Sequence, residues 1–350
     1  MSKVALLYDP AVLEHKPPEG HPERPARVAE VMALLEQTGM LGRLTRLPVT
    51  PAAREQLERV HTPEYLDFVE QVVAGGGGYL DAGDTVASAG SWKAATAAAG
   101  AGIGAVDAVM TGGMEASFAV VRPPGHHAPP DRAMGFCILN NAAVAAAHAV
   151  SQYGLSRVLL VDFDVHHGNG IQDCFYASPE VLYFSTHQSP AYPFTGMIDE
   201  TGIGAGAGYT VNVPLPPDVG EAGFLQSFDA VLRPLARRFQ PEIVIVSAGY
   251  DAHWRNSRYV QGIRERLTVR GLAALSQSLQ EIANAHCPGR LVGILEGGYD
   301  LEALAYGVLG TLGVWLGDTE IADPLGPPPT AAQEPDITAL LDKVKRVHGL

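Results

Sequence analysis

From Val158 to Gly170 the chain reads Val-Leu-Leu-Val-Asp-Phe-Asp-Val-His-His-Gly-Asn-Gly, an apolar run whose far end is loaded with ionisable groups. Read as a strand, its side chains alternate, which puts Asp162, Asp164 and His166 on one face and Phe163 and Val165 on the other. Three such groups on an apolar strand are costly to bury unless a cation or hydrogen-bond partners meet them. Asp164 and His166 offer the oxygen and nitrogen donors that suit Zn²⁺, and a third donor must come from elsewhere. A second apolar run, 243–248, is followed by Gly-Tyr-Asp-Ala-His, so Asp251 could complete a three-ligand site with one position open for water. Taken alone, Asp251 reads as a helix cap.

Two more segments carry reactive groups after apolar runs. Arg122-Pro123-Pro124-Gly125-His126-His127 sets adjacent histidines on a stiff loop, and Glu296-Gly297-Gly298-Tyr299 sets a tyrosine on a glycine-rich turn. A lone histidine pair is usually incidental and a lone tyrosine usually packs. Four loaded strand ends in one chain are harder to dismiss, because open α/β sheets bind ligands at the carboxyl ends of their strands.

Those ends need a sheet. Short apolar runs bounded by turn residues occur at 4–8, 116–121, 157–161, 181–185, 243–248 and 291–295. Helical patterns lie at 24–37, 63–74, 92–110, 141–153, 220–239, 268–286 and 300–316. The alternation predicts an α/β fold with a mainly parallel sheet covered on both faces. Gly100, Gly102 and Gly104 lack the spacing of a dinucleotide loop and follow a helical pattern, so close helix packing is expected. Residues 75–78 and the glycines at 202–208 read as flexible loops. After the Pro-rich stretch 323–329, Asp336 can cap an amphipathic helix with Ile337, Leu340, Leu341, Val344 and Val347 on one face. That tail is expected to pack back on the domain, with an oligomer contact as the alternative.

Composition sets outer bounds. At 350 residues with 47% hydrophobic and 18% charged residues, the chain can build a core without disulfides or structural metals. Its net charge of −14, from 24 Lys+Arg against 38 Asp+Glu, argues against direct nucleic-acid binding. Cys137, Cys174 and Cys287 are odd in number and far apart, which fits a reducing compartment. The short first apolar run and the Asp107 within the Ala/Gly-rich helix argue against a signal segment or a membrane span, so a cytoplasmic protein is expected.

Together with His21-Pro22-Glu23-Arg24-Pro25, Gly135-Phe136-Cys137 and Asn140-Asn141, these motifs resemble the zinc-dependent deacetylases of the arginase/deacetylase fold. That group comprises histone deacetylases, their bacterial homologues and acetylpolyamine amidohydrolases. The motifs run in family order over nearly the whole chain, and the asparagine of His166-His167-Gly168-Asn169 together with Glu296–Tyr299 is similar to the class II branch. The resemblance implies a three-layer α/β/α architecture and a single deacetylase domain over 1–350, with a catalytic core at about 4–317 and a C-terminal segment and helix at 318–350.

It further implies one Zn²⁺ per chain, or Fe²⁺ in the cell, on Asp164, His166 and Asp251. His126 and His127 would be the acid/base pair, partnered by Asp162 and Asn169, and Tyr299 would hold the substrate carbonyl. Gly135, Phe136, Tyr192 and Gly298 would form the acyl-lysine tunnel, with Tyr192 ahead of Phe194, and a structural K⁺ would sit at Asp162 and Ser185. The implied substrate is an acylated lysine in a protein or peptide, or an acetylated polyamine, and a homo-oligomer is compatible. An inactive acyl-lysine binding module and a binuclear manganese enzyme are the other readings of this fold. This chain departs from many relatives at Trp254-Arg255-Asn256-Ser257-Arg258: Arg258 at the rim would repel a cationic polyamine, whereas Glu14, Glu19 and Glu23 in the first loop could attract one.

Overall fold

The computed structural model describes residues 3–260, 262–330 and 333–350; the first two residues of the 1–350 domain, one position of its core and two of its C-terminal segment therefore lie outside the described residues. Ten strands form within them: β1 (Val4–Leu7), β2 (Thr45–Leu47), β3 (Gly77–Tyr79), β4 (Val86–Ser88), β5 (Ala116–Ala119), β6 (Val158–Asp162), β7 (Val181–Gln188), β8 (Thr210–Leu215), β9 (Ile243–Ala248) and β10 (Leu291–Leu295). Eight of them make one sheet in the order β2-β1-β5-β10-β9-β6-β7-β8. Every neighbouring pair in it is parallel. β6 and β9 are buried at every position, as continuous apolar strands covered on both faces must be.

Helices flank the sheet. Ser91–Met110 and Asn141–Tyr153 pack on each other and on β5, β6 and β9, while Ala26–Gln37, Leu301–Trp315 and Val269–His286 form a second packed group. Their starts follow their sequence: the Thr62, Asn140, Thr268 and Asp300 side chains each accept a backbone N–H three residues on. The expected helix at 220–239 is present, but it widens into a π turn at Phe228–Leu232, just before Pro234, which has no N–H to give. A Cβ on Gly100 or Gly102 would strike the backbone of Ala52 or Asn141, so these glycines serve close packing as expected.

Three differences from the sequence expectation stand out. β2 and β8 were not anticipated; they are the edge strands, and β8 carries Pro214, which an edge tolerates. Residues 77 and 78, within the stretch 75–78 expected as loop, belong to β3, which pairs antiparallel with β4. A short helix, Asn169–Phe175, starts directly after the double histidine.

The tail packs back as expected. Helix Thr338–His348 lies against β8 and the π turn, with Ile337, Leu341 and Val344 buried, although Val347 is exposed. Asp336 Oδ1 accepts the Thr338 N–H at 2.9 Å, and Glu334 accepts the N–H groups of Gly220 and Gly223 at 3.0 Å each, capping the helix Glu221–Ser227 from outside. One apolar cluster runs from Val4 to Val344. No helix among the described residues is long and apolar enough to cross a membrane.

Candidate active site

The polar groups gather where the sequence put them, but by a different local geometry. β6 ends at Asp162, so strand alternation does not extend to Asp164 and His166. Instead the aspartates fold the loop around themselves. Asp162 Oδ1 accepts the N–H of Asp164 at 3.1 Å, Asp164 Oδ1 accepts that of His166 at 2.9 Å, and Asp251 Oδ1 accepts that of Val165 at 3.0 Å. Asp162 and Asp164 each satisfy backbone two residues on, which is what Asp does in turns, and Asp251 reaches the same loop from another strand end.

This folding brings Asp164, His166 and Asp251 together, all buried, with one donor atom of each within 4.8 Å of the others. His166 Nδ1 stands 3.1 Å from both Asp164 Oδ1 and Asp251 Oδ2. Asp251 Oδ2 accepts no hydrogen bond, although it is buried. Two fully buried carboxylates around one imidazole are expensive without a positive charge between them, so the donor set fits a divalent cation of the Zn²⁺ type. Gly297 closes the pocket wall: its N–H donates to Asp164 Oδ2 at 2.9 Å, and a Cβ there would collide with both the Asp164 and Asp251 carboxylates.

The paired histidines lie beside this set, their rings 4.0 Å apart. His126 Nδ1 donates to Asp162 Oδ2 at 3.1 Å, and His127 Nδ1 donates to Asn169 Oδ1 at 2.9 Å, so in each neutral ring Nε2 keeps its lone pair. Burial lowers both proton affinities, but around His126 the Asp164 and Asp162 carboxylates outweigh it and raise the imidazole to about 10. His127 has an amide partner instead, and burial, with His126 and His166 as cationic neighbours, holds it well below its ordinary value. The two rings therefore sit on opposite sides of neutrality, as a carboxylate on one and an amide on the other should arrange.

Tyr299 is buried and held at its backbone, its N–H donating to Asn256 Oδ1 at 2.7 Å. Its ring carries the Arg27 guanidinium at 5.0 Å and meets Phe136 edge-on at 5.8 Å. Tyr192 packs edge-on against His127 at 5.1 Å and lies 6.4 Å from His166, whereas Phe194 is 77% exposed. Phe136 thus lies against Tyr299, and Tyr192 against His127 and His166. Gly135 has a φ of 56° and sits where a Cβ would strike His127; only glycine combines that backbone with that proximity. Gly298 faces Leu304 and Tyr250, and its carbonyl accepts the Arg27 Nε hydrogen bond at 2.6 Å. Ser185 is paired in register with Asp162, and its hydroxyl lies 2.9 Å from His187 Nδ1.

Of the first-loop acids, Glu23 cannot attract a substrate. It is fully buried, with Arg122 on both carboxylate oxygens at 2.9 and 2.7 Å, Arg27 at 3.2 Å and His15 at 3.2 Å. Glu14 is paired with Lys93, and Glu19 is exposed. Arg258 stacks 5.9 Å over Trp254. Sequence reasoning assigned no role to Arg27, Asn256 or Tyr183. Arg27 donates to the carbonyls of Gly298 and Glu296, and the Tyr183 hydroxyl donates at 3.2 Å to the same Asp162 oxygen that holds His126. An arginine in an apolar helix face was the available signal for the first; Tyr183 sat in an apolar strand and gave none.

A parallel sheet covered on both faces, with a buried Asp-His-Asp set beside paired histidines at its carboxyl ends, is the framework of a metal-dependent amide hydrolase. The chain belongs to the histone deacetylase family, whose domain model matches residues 21–314. It is 38% identical to a probable deacetylase of Archaeoglobus fulgidus, over 98% of this chain and 97% of that one. It is 40% identical to the polyamine deacetylase HDAC10 of Homo sapiens over 95% of its own length, although it spans only 49% of that protein. Its fold superposes on the crystal structure of the HDA15 HD domain with a TM-score of 0.86 at 36% identity, covering 99% of this chain and 94% of that one.

Proposed function

We propose that the chain hydrolyses the amide that links acetyl or another short acyl group to the ε-amine of lysine in a protein or peptide. The carrying observation is the Asp164–His166–Asp251 donor set beside His126 and His127, with Phe136 against Tyr299 and Tyr192 against His127; in this reading Phe136 and Tyr192 wall the acyl-lysine approach. In this reading Asp164, His166 and Asp251 hold one Zn²⁺, or Fe²⁺ in the cell. The bound cation supplies the Lewis acidity that polarises the carbonyl and acidifies a water. His126 and His127 then manage the protons at their Nε2 atoms: one imidazole takes the proton from the attacking water while the other delivers one to the leaving amine, and the C–N bond breaks. Asp162 and Asn169 take up the Nδ1 protons, so the proton in play is gained or given at Nε2 of each ring. Tyr299 donates its hydroxyl to the oxyanion that develops on the carbonyl, and Arg27 and Asn256 fix its position.

A K⁺ at Asp162 and Ser185 is compatible with the site: Ser185 can donate to His187 Nδ1 and keep its oxygen lone pairs free. The described chain would act as one catalytic domain, and its free thiols suit the cytoplasm. A second reading, acetylpolyamine hydrolysis, draws on the likeness to the human polyamine deacetylase.

The deciding experiment measures bound metal together with turnover of an acetyl-lysine peptide and of acetylspermidine, with and without a chelator. Chelator-sensitive peptide turnover at about one zinc per chain is expected. Turnover of acetylspermidine alone would replace lysine with polyamine as the substrate, and a protein that binds no metal would overturn the proposal.

A further inference from the structure

A second donor set overlaps the paired histidines, and the hydrolytic reading leaves two of its three members unused. One ligand atom each of His126, Cys137 and Glu296 falls within 4.8 Å of the others, and all three residues are buried. We propose that these three residues form a second, inhibitory zinc site next to the catalytic one.

Each donor is prepared for a metal. The His126 Nδ1 proton is committed to Asp162 Oδ2, so Nε2 is the nitrogen left to take a metal, which would displace the proton there; such carboxylate–histidine pairs recur behind metal-ligating histidines. Glu296 Oε2 accepts the N–H groups of Gly125 at 2.6 Å and His126 at 3.1 Å, and this fixes the carboxyl. Its Oε1 is buried and has no hydrogen-bond partner. The Cys137 thiol lies 3.4 Å from the Gly135 carbonyl and meets the His127 backbone, so it sits beside the paired histidines. Nitrogen, sulfur and carboxylate oxygen together are a ligand set that Zn²⁺ accepts readily. A thiolate and a carboxylate also balance its charge in a buried site.

The functional consequence follows from the shared residue. A cation on His126 Nε2 occupies the lone pair that the hydrolytic reading assigns to proton transfer. One equivalent of zinc would therefore activate the protein and a second would switch it off. This inference rests on the hydrolase reading for its effect on turnover, but not for the existence of the site.

Cobalt substitution separates the two, because the first site contains no sulfur. Titrating metal-free protein with Co²⁺ should give a first equivalent without thiolate-to-metal charge-transfer absorption and a second equivalent with it. The Cys137→Ala variant should bind one equivalent, lack that absorption, keep turnover at one zinc per chain, and need roughly tenfold or more extra zinc for inhibition. Glu296→Gln, whose amide oxygen can still accept both N–H groups, should weaken the second equivalent likewise if the alanine variant fails to fold. A second equivalent without charge-transfer absorption, an absorption that survives Cys137→Ala, or no second equivalent at all would overturn the inference. Failure to bind even the first equivalent would instead strike the hydrolase reading.

Discussion

At the level of single residues, the site works by dividing labour among groups that differ by one hydrogen bond. Tyr299→Phe removes only a hydroxyl, so metal content should be unchanged while kcat falls by roughly 10²-fold or more, the loss expected for one oxyanion donor; undiminished turnover would remove Tyr299 from that role. Tyr183 offers a subtler case. Its hydroxyl and His126 share Asp162 Oδ2, and a hydrogen bond to a charged acceptor contributes about 1.5–3 kcal/mol. Tyr183→Phe should lower kcat about tenfold with KM unchanged, and should cost nothing further in an Asp162→Asn background. Additive losses in that double-mutant cycle would mean Tyr183 acts independently of the dyad. The chemistry-bearing residues were legible because aspartates and histidines at the ends of apolar runs are conspicuous. Their supports were not: Tyr183 and Arg27 look like strand and helix residues until the fold brings a distant partner against them.

Among the elements, the sequence indicated the strand–helix alternation well and the edges poorly. β6, β9 and β10 are buried on both faces, and uninterrupted Val, Ile and Leu runs signal that; β2 and β8 are short or proline-bearing edge strands whose pairing depends on neighbours. The alternation argument for Asp164 and His166 reached the correct cluster through the wrong geometry, since Asx-type turns and not a strand gather them. What joins the elements around the site is Glu23, which takes Arg122 from the histidine loop, Arg27 from a helix and His15 from the first loop. The burial that would raise its carboxyl is overcome by Arg122, His15 and Arg27, which hold it well below the usual range. Glu23→Gln leaves two buried guanidinium groups short of an anion and should destabilise the fold by about 3–5 kcal/mol. Chemical denaturation would detect this as a lower midpoint at similar slope.

For the molecule as a whole, buried neutral histidines set the acid limit. Burial holds His61, His187, His253 and His348 at about 4, against about 6.5 in an unfolded chain. Between those values the unfolded state binds the extra protons, so stability present above pH 6.5 drains away as pH falls toward 4, by up to about 3 kcal/mol per group. Buried Glu296, Glu265, Asp162 and Asp251, raised mainly by burial, oppose this, while His127 and His167, lowered mainly by burial, add to it, which leaves six imidazoles against four carboxyls. The melting temperature should drop steeply across that window; a flat profile there would contradict the neutral assignment. The sheet order has a consequence in time as well as in space. β5, which leads into His126 and His127, lies beside β10, with Ala116 opposite Leu291, and β9 with Asp251 slots between β10 and β6. A ribosome that has released only the first half of the chain has therefore released both histidines and two of the three donors, but neither the strands that hold them in line nor the third donor. With synthesis at about 5–20 residues per second, the nascent protein carries a disassembled site for many seconds, so metal capture is an event of the finished polypeptide.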